Sequence, residues 1–229
     1  MTDVQDRAST TSPATISPEM IEASRRDDVS DLTTLEALYG EVQGLSIDKV
    51  TPSLTPLMIE FLNVSSMYFL ATADASGRCD VSPRGDPAGA VRVADPTTLI
   101  LPDRRGNRRV DSLRNLIVND LVGLLFLVAG SDDTLRINGR ATLSMHQSLL
   151  DAMRMQGKAP NLAVIVDIDE AYMHCPRAFR RSGLWNPETW PDTGTFPTMT
   201  EILHQQLHMP GAVEELARER DERARKTLY

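Results

Sequence analysis

Four of the six residues from 104 to 109 are arginines, although the chain carries a net charge of −8. They lie where a predicted strand ends and a predicted helix begins. The guanidinium fork suits phosphate oxygens, and the free N–H groups of a helix N-terminus also favour anions. Because cations there cost roughly 0.3–1 kcal/mol each, an anion site explains them better than a solvated basic loop. A small patch without aromatic residues does not favour nucleic acid.

A second group is Ser82-Pro83-Arg84-Gly85-Asp86-Pro87, which follows a buried strand. Pro83 and Gly85 are expected to stop the strand's hydrogen bonding and to leave bare backbone at the end of the sheet. Arg84 would then project from a rigid position. The alternative is a surface turn that happens to hold an arginine.

A third group runs from His174 to Trp185. Adjacent residues such as His174 and Cys175 seldom bind one metal, and no CxxC accompanies them, so Cys175 is predicted to be a small packing residue. The arginines here, with the planar ring of Trp185, could instead close over a planar anionic ligand.

Other patterns exclude common chemistries. His204 and His208 are four residues apart but lack an acidic partner, which favours a surface pair over a metal site. The signatures GxSxG, GxxxxGK[ST], GxGxxG and HExxH do not occur. Common hydrolase, P-loop and Rossmann interpretations therefore lose their main support.

Composition favours a globular domain with arms: 229 residues, 41% hydrophobic and 24% charged,. No apolar run reaches the roughly 18–20 residues that cross a bilayer, and the N-terminus has no secretory pattern. Two cysteines do not make a disulfide framework,. We expect a cytoplasmic protein that binds neither membrane nor nucleic acid, since its net charge attracts neither.

The elements that must position these residues are mostly strands. Residues 1–30 are predicted to form a flexible arm, residues 31–186 the folded domain, and residues 187–229 an extension with a loop and a charged helix at 213–226. Helices are predicted at 31–40, 55–63, 109–118 and 148–155, with Leu113, Leu116 and Ile117 facing inward. Strands are predicted at 67–73, 78–82, 89–93, 97–101, 122–128, 134–143 and 162–168. Seven strands with short turns fit a closed antiparallel barrel with helical additions better than a βαβ repeat.

The three groups, in this order and around these strands, resemble the pyridoxamine 5′-phosphate oxidase-like family, and most closely its branch of FMN-dependent enzymes of unassigned substrate. The likeness covers roughly residues 31–190 and is carried by segments 71–77, 81–85, 101–109, 111–115, 135–141 and 174–185. It implies a mainly β fold with α additions, a split β-barrel. It also implies a homodimer with two FMN sites at the subunit interface.

The resemblance further implies roles for individual residues. The strand edge that meets the isoalloxazine ring would be Ser82, Pro83, Arg84 and Gly85. The next contact strand would provide Pro102 and Asp103, and the phosphate would be held by Arg108 and Arg109 with a hydroxyl from Ser112. The partner subunit would contribute Trp185 and Arg181. The flavin would carry the chemistry, and no side chain is assigned as catalytic.

The implied function is an oxidoreductase that transfers hydride or electrons between a small molecule and FMN, with NAD(P)H as a candidate donor. The chain lacks the Arg-x-Val-Leu-Leu-Lys and C-terminal Arg-x-His phrases of the family's true oxidases, so pyridoxamine phosphate is not the expected substrate. The alternative is a flavin-, deazaflavin- or haem-binding carrier or sensor with little turnover. His174 is the candidate axial ligand for haem.

Overall fold

The structure, a computed structural model, describes residues 15–227. It divides into an N-terminal unit that ends at Ile47 and a main unit that begins at Asp48. The first contains α1 (Pro18–Ser24), a 3-10 turn (Arg25–Asp27) and α2 (Leu32–Tyr39), and α3 spans Leu45–Asp48. Residues 1–14 of the predicted arm lie outside the described residues. Because α1 is helical, the arm is not wholly irregular, and its flexibility stays a prediction.

Helix α2 confirms the prediction for residues 31–40. The Asp31 carboxylate accepts a hydrogen bond from the Thr34 N–H at 2.8 Å, which caps the helix start and lowers the pKa of that carboxyl,. Gly40 ends the helix with a φ of 73°, a conformation that glycine adopts without steric cost.

The main unit contains six further helices and seven strands among the described residues. The helices are α4 (Pro56–Val64), α5 (Asp111–Val118), α6 (Gln147–Ala152), α7 (Arg177–Ser182), α8 (Met199–Leu207) and α9 (Val213–Lys226). The strands are β1 (Met67–Ala73), β2 (Cys79–Gly85), β3 (Arg92–Asp95), β4 (Thr98–Asp103), β5 (Leu121–Leu127), β6 (Thr134–Ser144) and β7 (Leu162–His174). Within residues 15–227, no helix is both long and apolar enough to cross a membrane.

The seven strands form one antiparallel sheet in the order β2-β1-β5-β6-β7-β4-β3. The expected number of strands and their antiparallel pairing are confirmed. The sheet does not close, because β2 and β3 each have a single strand neighbour. The closed barrel expected from strand count is therefore wrong, and the split barrel implied by the resemblance is confirmed.

Strand β2 continues past the point where the sequence predicted its end. Pro83 pairs with Phe69, and Gly85 pairs with Met67. The expectation that Pro83 and Gly85 stop the ladder was wrong because β2 is an edge strand, where a missing N–H can face away from the sheet. Arg84 therefore projects from a regular strand and not from a turn.

The core lies against one face of the sheet. Buried side chains alternate along β1, with Tyr68, Leu70 and Thr72 on the core face. Phe126 and Ile137 of the neighbouring strands are fully buried. This period of two is expected of a sheet with one buried face.

Helix α5 packs Leu113 and Leu116 into this core, as predicted, but leaves Ile117 74% exposed. The prediction for Ile117 was wrong because the buried stripe of α5 also includes Ser112, which is only 2% exposed. With Ser112 inside, the stripe is centred about a quarter turn away from residue 117.

A β-bulge bends the long β6–β7 pair. The register shifts between Asn138 and Gly139, and a Cβ at Gly139 would overlap the carbonyl oxygen of Asp167. Beyond the bulge, β7 runs six residues past its predicted end, to His174. Pairing with β6 in this region brings the 174–185 segment to the end of the sheet.

The C-terminal extension contains a pair of helices. Thr198 and Glu201 form a capping box at the start of α8, and these hydrogen bonds lower the pKa of the Glu201 carboxyl,. Arg220 of α9 donates to the Thr200 hydroxyl at 2.8 Å. The predicted bounds of the charged helix, 213–226, are confirmed.

Candidate functional site

An open cleft of about 970 Å³ lies where the ends of β2 and β4 meet the start of α5. Seven of the predicted site residues line it: Ser82, Pro83, Arg84, Asp103, Arg108, Arg109 and Ser112. Gly85 and Pro102 line a smaller cavity of about 40 Å³, which shares Arg84 and Arg104 with the cleft. The fold thus brings together the first two groups identified in the sequence.

Two ion pairs fix the strand ends that form the cleft wall. Arg84 Nη1 donates to Asp103 Oδ1 at 2.8 Å, and Arg104 Nε donates to Asp86 Oδ2 at 2.6 Å. All four side chains are mostly buried. Because each cation is neutralised by its partner, these arginines hold β2 against β4 and add little net charge to the cleft.

Two serines connect these pairs to α5. Arg84 Nε donates to Ser82 Oγ at 3.2 Å, the Ser82 and Ser112 oxygens are 3.0 Å apart, and Ser112 donates to Asp80 Oδ2 at 2.6 Å. A hydroxyl has one proton, so Ser82 must be the donor to Ser112. Neither hydroxyl then has a proton left to donate to an anion in the cleft.

The loop before α5 has an unusual backbone conformation on both sides of Arg109. Arg108 has a φ of 63° and Val110 a φ of 52°, a region that costs roughly 1–2 kcal/mol for a residue other than glycine. Arg109 pairs with Asp111, and its backbone N–H donates to Asn107 Oδ1 at 3.0 Å. Such strained positions concentrate at binding sites.

Helix α5 begins at Asp111 and not at residue 109 as predicted, because the left-handed conformation of Val110 cannot continue a helix. Both arginines therefore precede the helix. No side chain caps α5, and its first residues, Asp111, Ser112 and Leu113, line the cleft. The uncapped N–H groups and the arginines together make this end of the cleft attractive to an anion.

Among the arginines that line the cleft, Arg105 and Arg108 have no carboxylate partner within the described residues, and both are exposed. The donor set of this corner is therefore guanidinium and backbone N–H, which suits a phosphate monoester. A cleft of about 970 Å³ is within the usual size range for cofactor sites, roughly 300–1,000 Å³.

Tyr68 lines the smaller cavity and is buried. Burial raises the pKa of its phenol, and the neighbouring Arg84 opposes this rise only in part,. Tyr68 therefore stays neutral at physiological pH.

The third group lies outside this cleft in a single chain. Trp185 stacks on Phe179 with ring centroids 6.1 Å apart, and its buried Nε1 has no hydrogen-bond partner among the described residues. Arg181 lies on α7 and is exposed. Cys175 is also exposed, so the prediction that it packs in the interior was wrong. It follows the last residue of β7, where the chain leaves the sheet.

The sequence interpretation missed Asp80 and Asp86. Asp80, Ser82 and Arg84 alternate along β2, so a strand assigned through residue 85 would have placed all three on one face. The Asp86–Arg104 pair has no such signal, because its members are 18 residues apart. In the described part of the chain, no group of three or more His, Cys, Asp or Glu residues could hold a metal ion.

Comparisons with known proteins were made for sequence and for structure. A profile for the family "Pyridoxamine 5′-phosphate oxidase" matches residues 54–175. No curated protein matches the chain significantly. The profile covers β1 to β7 and includes the cleft residues of β2, β4 and α5.

Among solved structures, HupZ of Group A Streptococcus is 20% identical, covers 52% of this chain and 91% of its own, and gives a TM-score of 0.41. An FMN-binding protein of Syntrophomonas wolfei is 13% identical, with coverages of 63% and 97% and a TM-score of 0.40. The haem storage protein HutZ of Vibrio cholerae is 18% identical, with coverages of 53% and 93% and a TM-score of 0.36.

The profile match spans more than half of the chain and contains all seven strands and α5. The split antiparallel sheet agrees with it. The chain belongs to the pyridoxamine 5′-phosphate oxidase family, whose members commonly bind flavins.

Proposed function

We propose that this protein is an FMN-binding oxidoreductase that acts on a small molecule. The observation that carries the proposal is the corner formed by Arg108, Arg109 and the uncapped start of α5 inside the cleft. A phosphate monoester is the ligand that this donor set suits best. Family membership supports a flavin as the molecule that carries the phosphate.

Bound in this cleft, FMN would supply hydride or electron transfer between the substrate and a donor such as NAD(P)H. Arg108 and Arg109 would hold its phosphate, and the β2 residues Ser82, Pro83 and Arg84 would lie along the ring. Arg84 Nη2 makes no hydrogen bond within the described residues, so it is free to donate to a ring oxygen. The Arg84–Asp103 pair would keep that guanidinium in place.

We also propose that the protein is a homodimer in which the second copy covers the outer face of the sheet. On this outer face, Ala71 of β1 lies between Val81 of β2 and Gly123 of β5. Val81 is 62% exposed. Phe69 and Leu125 form the next row. An apolar sheet face of this kind is costly to leave in water.

A dimer would also explain Arg181 and Trp185. Neither lines the cleft of its own chain, in keeping with a role at the partner's cleft. The chain lacks the Arg-x-Val-Leu-Leu-Lys and Arg-x-His motifs of the true oxidases. We therefore propose a small molecule other than pyridoxamine phosphate as the substrate.

The proposal is tested by replacing Arg108 and Arg109 together with alanine. Because a hydrogen bond to a charged group contributes roughly 1.5–3 kcal/mol, we expect FMN affinity to fall by about a hundredfold or more. Titration of flavin fluorescence measures the change. Arg92→Ala with Arg114→Ala removes two exposed arginines that do not line the cleft, and should leave FMN affinity unchanged.

Equal FMN affinity in the two double variants would refute the phosphate assignment. A Soret band in the purified protein would favour haem. That reading has less support, because His174 is exposed and does not line the cleft. Bleaching of a flavin spectrum by NADH or NADPH, followed by recovery in air, would distinguish an enzyme from a carrier.

A further inference from the structure

Helix α2 carries an apolar stripe that a single chain leaves uncovered. Leu32, Leu35, Leu38 and Tyr39 recur at the spacing of one helix face, and their exposed fractions lie between 42% and 79%. None of the described side chains from 15 to 47 is buried. The α2 stripe is therefore a surface without a packing partner in one copy of the protein.

A helix as short as α2 depends on such a partner. It has eight residues, and isolated helices shorter than about 12–15 residues are marginal in water. The Asp31 cap and Gly40 fix where the helix starts and ends, but most of the stability of a short amphipathic helix comes from burying its apolar face. We therefore expect the α2 stripe to be covered in the assembled protein.

The outer face of the sheet has a complementary character. One row crosses this face from Phe69 of β1 through Leu125 of β5 to Arg136 of β6 and Tyr172 of β7. Arg136 and Lys49 both lie over the Tyr172 ring, 5.9 and 5.3 Å from its centroid. Neither cation has a carboxylate partner within the described residues. The row thus runs from apolar side chains to two cations.

The N-terminal unit has the opposite charge. Residues 15–47 carry seven acidic and two basic side chains. Glu36 lies four residues after Leu32 and three before Tyr39, so it flanks the α2 stripe. The carboxylates of the outer face lie beside polar partners on β6: Glu170 beside Asn138 and Asp167 beside Arg140. An acidic helix with an apolar stripe matches a face whose apolar row ends at two cations.

The chain that leads to α2 is anchored on this same sheet. Lys49 Nζ donates to the Met173 carbonyl at 2.9 Å, and Thr51 and Ala171 exchange two backbone hydrogen bonds. Residues 40–48 form the tether from this anchor to α2, and they span about 20 Å with α3 helical. Three strand spacings from β7 to β1 cover about 14 Å. The tether is therefore long enough for α2 to contact a copy seated on the outer face.

We propose that α2 of each copy packs its stripe against the outer sheet face of a second copy, so that two chains exchange these helices. One chain leaves both surfaces exposed, since Val81 of the outer face is 62% exposed, and the cover must come from another molecule. A twofold arrangement covers both copies at once. The inference rests on the homodimer proposed above, but it requires no bound FMN.

The first test is sedimentation of the full-length Leu35→Glu, Leu38→Glu variant over a range of concentrations. Because two charges would enter an apolar contact, we expect the Kd of the dimer to rise by about a hundredfold or more, with the thermal midpoint of the main unit unchanged. Thr33→Glu with Ala37→Glu is the matched control. It adds the same charges to the opposite, exposed face of α2,, and should leave the Kd unchanged.

The second test asks which chain the helix covers. In a Cys79→Ser, Cys175→Ser background, one chain carries Leu38→Cys and a second chain of different length carries Val81→Cys. A short bismaleimide should link the two chains of unequal size. When both cysteines are placed in one chain, we expect links between copies. Links confined to single chains would mean that α2 covers its own sheet, which overturns the exchange.

The outcomes separate the exchange from the proposals on which it depends. Wild-type protein that is monomeric at every concentration overturns the homodimer and the exchange together. Dimeric wild-type protein with equal Kd values for the two helix variants overturns the exchange alone. Flavin titration of the same samples reports FMN binding independently of either result.

Discussion

At the scale of single residues, the cleft is organised by hydrogen bonds whose direction is determined. The series from Arg84 through Ser82 and Ser112 ends on the Asp80 carboxylate. Each hydroxyl accepts from one side and donates to the other, so both serine hydroxyls in this half-buried series are satisfied. The serines therefore act as a support that holds β2 against α5.

Replacing Ser112 with alanine should show how much these hydrogen bonds contribute to the stability of the fold. The change removes a donor from Asp80 and an acceptor from Ser82 inside the protein, so we expect a loss of about 1–3 kcal/mol in the free energy of unfolding. Urea denaturation measures it.

Ser148→Ala serves as the control, because Ser148 is exposed and its hydroxyl contacts only His146. It should change stability by less than about 0.5 kcal/mol. Equal midpoints for the two variants would show that the buried hydrogen bonds contribute nothing measurable.

At the scale of elements, the bulge in β6 sets the length of β7. Gly139 tolerates no Cβ because the Asp167 carbonyl occupies that space. Beyond it, β6 and β7 pair from Asn138 with Glu170 to Thr134 with His174. The bulge thus determines where the 174–185 segment leaves the sheet.

Gly139→Ala should be strongly destabilising, by about 3 kcal/mol or more, since backbone must move to admit the methyl group. Thermal unfolding followed by circular dichroism checks this. Gly123→Ala is the matched control on β5, where the added Cβ would make ordinary contacts of 3.4 Å with Asn138 and 3.7 Å with Ala71. A Gly139→Ala variant as stable as the control would contradict the bulge geometry.

The left-handed loop before α5 is a second feature of this scale. Val110 is β-branched and has a φ of 52°, so Val110→Asn should raise stability by about 1 kcal/mol, because asparagine adopts this conformation more readily. The midpoint of urea unfolding reports the gain. A decrease would mean that the strain is absent. Helix α5 keeps its bounds in either case, and far-UV circular dichroism serves as the check on that.

At the scale of the whole molecule, the proposed homodimer depends on the outer face of the sheet. Val81→Glu would place a charge within the proposed contact, so we expect a monomer by analytical ultracentrifugation. Val42→Glu makes the same change at another exposed valine and should leave the assembly intact. A Val81→Glu protein that remains dimeric would exclude this face as the interface.

Much of the fold could be predicted because it depends on local pattern. The apolar run of β1, the alternation of β6, the cap at Asp31 and the charge pattern of residues 213–226 predicted elements whose bounds agree with the structure to within one residue. Prediction failed where a neighbour decided the outcome. Pro83 and Gly85 remain in a strand because β2 has a free edge, and Ile117 is exposed because Ser112 takes the inward position.

For this protein, the sequence by itself determined the number of strands, the arginine cluster and the family, since each depends on residue types at short spacing. Only the tertiary structure decided which arginines are neutralised by a carboxylate. Arg84 and Arg104 are neutralised by Asp103 and Asp86, residues 18 or 19 positions away. Pairing of this kind depends on which strand ends meet in space, because charge attraction acts through distance and not along the chain.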